Sequence, residues 1–403
     1  MNALTVDRDT WTAAGEALLP GAVALRRAIH ADPEVGLDTP RTREKVMAAL
    51  AGLPLEYREG PSTSGVMAIL RGPGNGRTVL LRGDMDALPL MEDTGLPFAS
   101  QVDGAMHACG HDTHVAMLAG AARALCDRRD QLTGTVMFMF QPGEEGHHGA
   151  RFMIEDSLLD PAPDAAFALH ISPNMPAGVV ASRAGPLLAA SDKLRIRVKG
   201  QGGHASMPHD AVDPVPIACE IVLALQTMIT RRTAVFDPTV ITIARVEAGT
   251  TDNVIPEYAR LWGTLRTLSE RNRQLVHHNI ESVATGIAAA HGAAAEVEIE
   301  HGFPVTVCDA RVVDLTERVA KELFGEAGWY RMPNPMMGAE DFSYVLQKVT
   351  GAMAFLGAAP EGGDYRTCCA LHSNRMVLDE RVMARGITMH CAMAEAMLNG
   401  LEL

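Results

Sequence analysis

The densest set of potential metal donors in the sequence is His107-Ala-Cys-Gly-His111-Asp-Thr-His114, three imidazoles, a thiol and a carboxylate within eight residues. Cys sulfur and His nitrogen are the donors that zinc and similar divalent ions prefer, and a bound ion stabilises the thiolate. A solvated or capping role explains one such histidine but not the cluster, so Cys109 and His111 read as metal-ligand chemistry. Phe140-Gln-Pro-Gly-Glu144-Glu145-Gly places two adjacent carboxylates in a Gly/Pro turn directly after an apolar run. Adjacent like charges call for a counter-charge. A metal supplies one, with one carboxylate on the ion and the other free to take a proton from water, although alone such a pair is usually a solvated loop.

Arg82-Gly-Asp84-Met-Asp86-Ala-Leu-Pro sets two carboxylates two residues apart at a strand end. Asp86 reads as a group that orients a histidine ligand, because metal-bound imidazoles donate their other N–H to a carboxylate or carbonyl. A turn with a capping Asp is the competing reading. His170, at the end of an apolar run, and His372, in Ala370-Leu-His-Ser-Asn, are lone histidines that local pattern alone does not separate from structural ones.

These residues need rigid supports, and the pattern around them is α/β. Amphipathic runs at 22–29 and 42–53 precede an apolar strand at 78–81; strands at 135–140 and 165–169 follow, separated by a small-residue helix at 115–125. Polar clusters begin where each strand ends, the place where open α/β sheets carry ligands. Near Asp192 the rhythm changes to strand 193–198, helix 214–231, strands 240–246 and 258–267, helix 271–291 and strand 295–300. This β-α-β-β-α-β order matches a ferredoxin-like α+β unit. The α/β pattern then resumes with helix 310–324, strand 351–356 and helix 380–398. The expectation is a discontinuous α/β domain over 1–190 and 303–403, with an inserted domain over 191–302.

A chain of 403 residues with 47% hydrophobic and 21% charged content has apolar material for more than one packed core. Its net charge of −14, without a basic block, opposes nucleic acid as a partner. The N-terminus lacks the basic start and continuous apolar segment of a signal peptide, and no apolar run is long enough to span a bilayer, so a cytoplasmic protein without membrane partners is expected. Seven scattered cysteines, Cys368 and Cys369 adjacent among them, do not form a disulfide framework.

RGDMDALP, HACGHDTH, FQPGEEG, Ala168-Leu-His170, GQGGHASMPH, TDNVIPE, GTLRT, GAEDF and ALHSN occur in this order across nearly the whole chain. The set resembles the aminoacylase and carboxypeptidase G-like family of dinuclear metallopeptidases, and within it the hippurate hydrolase and N-acyl-L-amino-acid amidohydrolase branch. The Cys-Gly-His pair marks that branch; others place a bridging aspartate there. The resemblance implies a metal-binding α/β catalytic domain with an inserted ferredoxin-like lid and dimerisation domain. It implies two divalent metal ions per subunit (Zn, Mn, Co or Ni) on Cys109, His111, Glu145, His170 and His372, and Glu144 as general base. His204 is implied to stabilise the oxyanion, typically in the active site of a partner subunit of a homodimer or higher homo-oligomer. Asn253 and Arg266 match positions near substrate, Arg266 as a carboxylate clamp, and Glu340 matches a further substrate-side position. His107, His114 and His209 are left out of the ligand set, because more ligands would crowd out water. His147 and His148 stand where many relatives carry glycine, and their role stays open.

The implied reaction is hydrolysis of the amide bond of an N-acyl amino acid by a metal-activated water, with dipeptidase or carboxypeptidase activity as the alternative. Two further readings remain: a thiol hydrolase with Cys109 as nucleophile and His111 as base, which leaves Glu145, His170 and His372 without a task, and a non-catalytic metal- or ligand-binding sensor. Acyl group, amino acid and native metal are not encoded in any local pattern.

Overall fold

A computed structural model describes residues 6–363 and 370–400; Cys368 and Cys369 lie outside the described residues. Two compact units divide the chain, the first formed by Met1–Leu187, Val307–Asn334 and Asp341–Leu403, the second by Leu188–Thr306 and Pro335–Glu340. The second unit thus reaches beyond the 191–302 span at both ends and takes in a return segment that no periodicity announces. Backbone contacts hold that segment: a bridge between Leu188 and Met336, and an Ala189 N–H donated to the Gly338 carbonyl.

The first unit is built on an eight-stranded sheet in the order Glu56–Glu59, Val66–Arg71, Thr135–Gln141, Thr78–Asp84, Ala165–Ser172, Gly351–Gly357, Val180–Ser182, Trp329–Arg331. The four strands from Thr135–Gln141 to Gly351–Gly357 run parallel, so their carboxyl ends share one edge. Burial on both faces explains their unbroken apolar runs, such as Val136–Phe140. The shorter edge strands carry no such run and escape sequence reading. Helix Arg8–His30 is far longer than the 22–29 run, because Gly15 and Pro20 look like breakers. Pro20 lies inside the helix, and Gly15 marks a close approach: a Cβ there would stand 2.4 Å from the Ala384 carbonyl oxygen of helix Val382–Gly400.

The second unit is a four-stranded antiparallel sheet in the order Thr239–Ala248, Tyr258–Thr267, Ala190–Lys199, Ala294–His301, with helices Pro214–Arg232 and Glu270–Ala290. Alternation decides its faces: Leu194, Ile196 and Val198 join Ile221, Leu225 and Ile280 in a core, while Lys193, Arg195 and Arg197 point the other way and pair with Glu300, Glu298 and Glu296 of the neighbouring strand. Both helices begin on side-chain caps, Asp213 and Ser269. Among the described residues no helix is long and apolar enough to cross a membrane.

The start of helix His111–Asp127 is tied down by a buried ion cluster. Asp112 Oδ2 accepts from Arg26 Nε and from His30 Nδ1, each at 2.8 Å, and His30 Nε2 lies 3.2 Å from Glu92 Oε1. Burial opposes charge on His30, but the hydrogen bonds to Asp112 and Glu92 outweigh it and raise its pKa from 6.5 to about 9. A raised folded-state pKa means that this stabilisation is complete below about pH 6.5 and is lost as pH rises through about 9. The shift corresponds to roughly 3 kcal/mol. In urea titrations, His30→Gln should therefore lose stability by about that order at pH 6 and by much less at pH 10; a loss independent of pH would count against a charged His30.

Candidate metal centre

The carboxyl edge of the parallel strands delivers the donors. Strand Thr78–Asp84 ends at Asp84 and leads into Asp86, strand Thr135–Gln141 leads into the Glu144-Glu145 turn, and His170 stands near the end of Ala165–Ser172. Cys109 and His111 flank Gly110, the residue preceding helix His111–Asp127. Gly110 has φ 87°, and a Cβ there would lie 2.4 Å from Ile171 Cδ1, so conformation and space both require glycine. His372 also has a positive φ, 67°, which is costly for a side-chain-bearing residue and marks a constrained position. Its amide donates to the Ala108 carbonyl at 2.7 Å, next to Cys109.

Two donor groups overlap at one sulfur. Cys109, His111 and His170 each offer one atom within 4.8 Å of the others, and so do Cys109, Glu145 and His372. Cys109 Sγ is 3.5 Å from His170 Nε2, and His372 Nε2 is 3.3 Å from Glu145 Oε1. The structure thus gathers all five residues of the implied ligand set in the first unit. The other ring nitrogens face backbone oxygen: His111 Nδ1 lies 2.9 Å from the Asp86 carbonyl and His170 Nδ1 2.6 Å from the Ile171 carbonyl. Each imidazole is then oriented with Nε2 toward the cluster.

The residues fit divalent ions. His111 Nε2 is buried without a hydrogen-bond partner, although carboxylate oxygens of Asp84, Glu145 and Glu144 stand 3.5, 3.9 and 4.0 Å away. Burial disfavours a charged His111, yet Asp84, Cys109 and Asp86 outweigh it and hold its pKa well above the ordinary value. Hydrogen bonds to Cys109 and Glu145 likewise raise His372 to about 10. Surroundings that attract a proton this strongly attract a cation in its place. Cys109 is 7% exposed, and burial pushes its thiol pKa up, which suits an ion's ligand better than a free nucleophile.

Asp86 does more than orient His111. Its carboxylate oxygens accept the backbone N–H groups of Glu144 and Glu145, each at 2.9 Å, clamping the turn that presents both glutamates. Sequence reasoning missed a second layer. Arg82 donates to Asp84 at 2.5 Å, Gln141 at 2.8 Å and Asp341 at 3.0 Å, and Asp341 accepts from Gln141 and from the Ala150 amide. All four side chains are buried. The strand-end position of Arg82 and the acidic pair Glu340-Asp341 were the available signals.

His204, Asn253, Arg266 and Glu340 belong to the second unit. His204 and Val254 are paired residues of a short two-stranded ladder, and the Asn253 carbonyl accepts the Ala205 amide, so His204 and Asn253 are neighbours. Ser206 N–H donates to His204 Nδ1 at 3.1 Å, which leaves the proton of the neutral ring on Nε2. Arg266 is half-buried, with Nη1 donating to the Leu265 carbonyl, and Glu340 is buried. His107 and His209 stand outside the two donor groups, as does His114; burial lowers His107 to about 3. His147 is exposed, and His148 Nδ1 lies 2.8 Å from the Tyr344 hydroxyl.

The sequence matches the family described as Peptidase family M20/M25/M40 over residues 80–396. It is 38% identical over 378 residues to thermostable carboxypeptidase 1 of Saccharolobus solfataricus, covering 92% of this chain and 94% of that protein. It is 38% identical over 336 residues to the N-acetylcysteine deacetylase of Bacillus subtilis, covering 83% and 87%. Among solved structures, a Bacillus subtilis protein described as a dinuclear metal binding peptidase from the M20 family superposes with a TM-score of 0.83 at 33% identity, covering 96% of this chain and all of that one.

Because Cys109 belongs to both donor groups, if each group holds an ion then Cys109→Ser should lower the content of both, whereas His372→Ala should lower one. Metal analysis after dialysis reads this directly, and two full equivalents retained by Cys109→Ser would refute the shared sulfur.

Proposed function

The chain belongs to peptidase family M20/M25/M40, and from that premise we propose that it is a two-metal amidohydrolase cleaving N-acyl amino acids into a carboxylic acid and a free amino acid. The observation that carries this reading is the clamped glutamate pair: Glu145 joins Cys109 and His372 in one donor group, while Glu144 Oε2 stands 4.0 Å from His111 Nε2 beside them. This arrangement supports giving one carboxylate to an ion and its neighbour to proton transfer.

Cys109, His111, Glu145, His170 and His372 would hold two divalent ions, Zn, Mn, Co or Ni, whose charge would supply polarisation of the amide carbonyl and a more acidic water. Glu144 takes the proton of the attacking water and passes it to the leaving nitrogen. Asp86 keeps the Glu144 and Glu145 backbone in place throughout. His204 Nε2–H is the donor assigned to the oxyanion. Arg266 is the clamp for the substrate carboxylate, with Asn253 and Glu340 on the substrate side.

The relatives' names support an amide whose nitrogen belongs to an amino acid, one specifying a deacetylase and the other a carboxypeptidase. The carboxypeptidase name keeps a dipeptidase or carboxypeptidase as the second reading. A reducing, cytoplasmic setting belongs to the same proposal, supported by Cys109, Cys126, Cys219, Cys308 and Cys391, all free. A homodimer is also part of it. Strand Thr239–Ala248 lies at a sheet edge, and Val240 and Val246 on it are 43% and 56% exposed, near Phe236 at 97%. Edges of this kind are templates for pairing with a second copy.

Glu144→Gln should keep two ions yet lose turnover by about 10²–10⁴-fold on a panel of acetyl, benzoyl and indole-acyl amino acids; substantial residual activity would remove Glu144 from its role. Dipeptides in the same panel decide between the two substrate readings. Replacing Val246 by Lys and Phe236 by Asp should halve the sedimenting mass, and an unchanged mass would argue against this edge.

A further inference from the structure

His114 lies one helical turn after His111 and is fully enclosed, 1% exposed. It forms a third group of potential donors with Asp84 and His111, but its own partners exclude it as a ligand. The Ile171 backbone N–H points at His114 Nε2 at 2.8 Å, and a backbone amide can only donate. Nε2 is therefore the acceptor and the ring proton sits on Nδ1, which lies 2.5 Å from Asp84 Oδ1. Both nitrogens are occupied.

Three elements meet at this ring. Asp84 ends strand Thr78–Asp84 and is fixed on its other oxygen by Arg82; His114 stands in the first turn of helix His111–Asp127; Ile171 follows His170 in strand Ala165–Ser172. The His114 and His170 rings pack edge to face with centroids 4.5 Å apart, and Ile171 also receives the His170 Nδ1–H on its carbonyl. At Gly83 a Cβ would come within 3.0 Å of the His114 carbonyl oxygen, so the strand end and the helix start are already in close approach.

We infer that His114 is a positioning residue that locks the His170 strand to the His111 helix, so that the ion held by Cys109, His111 and His170 depends on it while the ion held by Cys109, Glu145 and His372 does not. The inference rests on the two-ion reading above.

The test is stepwise zinc binding to the full chain in competition with a chromogenic chelator. Loss of a partner that orients a metal ligand costs typically ~10–100-fold in affinity. His114→Asn, which keeps a donor for Asp84 but cannot reach the Ile171 amide, should weaken one binding step by that factor and leave the other within about twofold. His114→Gln, whose side-chain carbonyl can reach that amide, should weaken the same step less. Equal weakening of both steps, or of neither, in a folded variant overturns the inference. Should both variants fail to fold, histidine ¹⁵N spectra of the unaltered protein still decide: a neutral ring protonated on Nδ1 supports the lock, and a proton on Nε2 overturns it. Absence of zinc binding by the unaltered chain would instead overturn the two-ion reading.

Discussion

A surplus of buried negative charge at the carboxyl edge of one sheet governs this structure. Asp84, Asp86, Glu144 and Asp341 are all buried there, and Glu145 groups with the Cys109 thiol. Isolated ionised groups in such a place cost far more than folding can supply, so each must be paired or hydrogen-bonded. Arg82 serves Asp84 and Asp341, and backbone amides serve Asp86. His111 Nε2 itself takes no hydrogen bond, with oxygens of Asp84, Glu145 and Glu144 at 3.5–4.0 Å. Donors gathered in this way suit a cation at that spot.

The scaffold gathers those donors by geometry. Parallel strands bring three chain segments to one edge, and the left-handed Gly110 turns the chain between Cys109 and His111 so that both face the same spot. Asp86 gives the Glu144-Glu145 turn a fixed backbone without spending either glutamate side chain. The buried Arg26–Asp112–His30 cluster holds the helix start from behind. Stiffness here comes from polar pairs that are fully enclosed, where they resist water far better than the Lys193–Glu300 type of pair on the exposed sheet face.

Legibility in the sequence followed locality. Cys109 and His111 stood out because five potential donors lie within eight residues, and the β-α-β-β-α-β order of the second unit was readable from alternation along strands such as Ala190–Lys199. His170 and His372 were not separable from structural histidines, since their partners lie far off in sequence, and only the ordered resemblance joined them. The Arg82–Gln141–Asp341 network escaped for the same reason: its bonds span 59 to 259 positions. Helix Arg8–His30 was under-read because the role of Gly15 is a contact with Ala384, more than 350 residues away, that no window along the chain contains.

The single sulfur common to both donor groups has a consequence for durability. On the two-ion reading proposed above, ligands that serve one ion each would fail one at a time, whereas a common thiolate would make the pair of sites a series circuit with one fuse. Oxidation of Cys109 to a sulfinic acid would disarm both sites in one irreversible event. Enclosure at 7% exposure, with the backbone of Gly110 pressed against Ile171, is then a shield for the weakest atom of the centre as much as a scaffold for it.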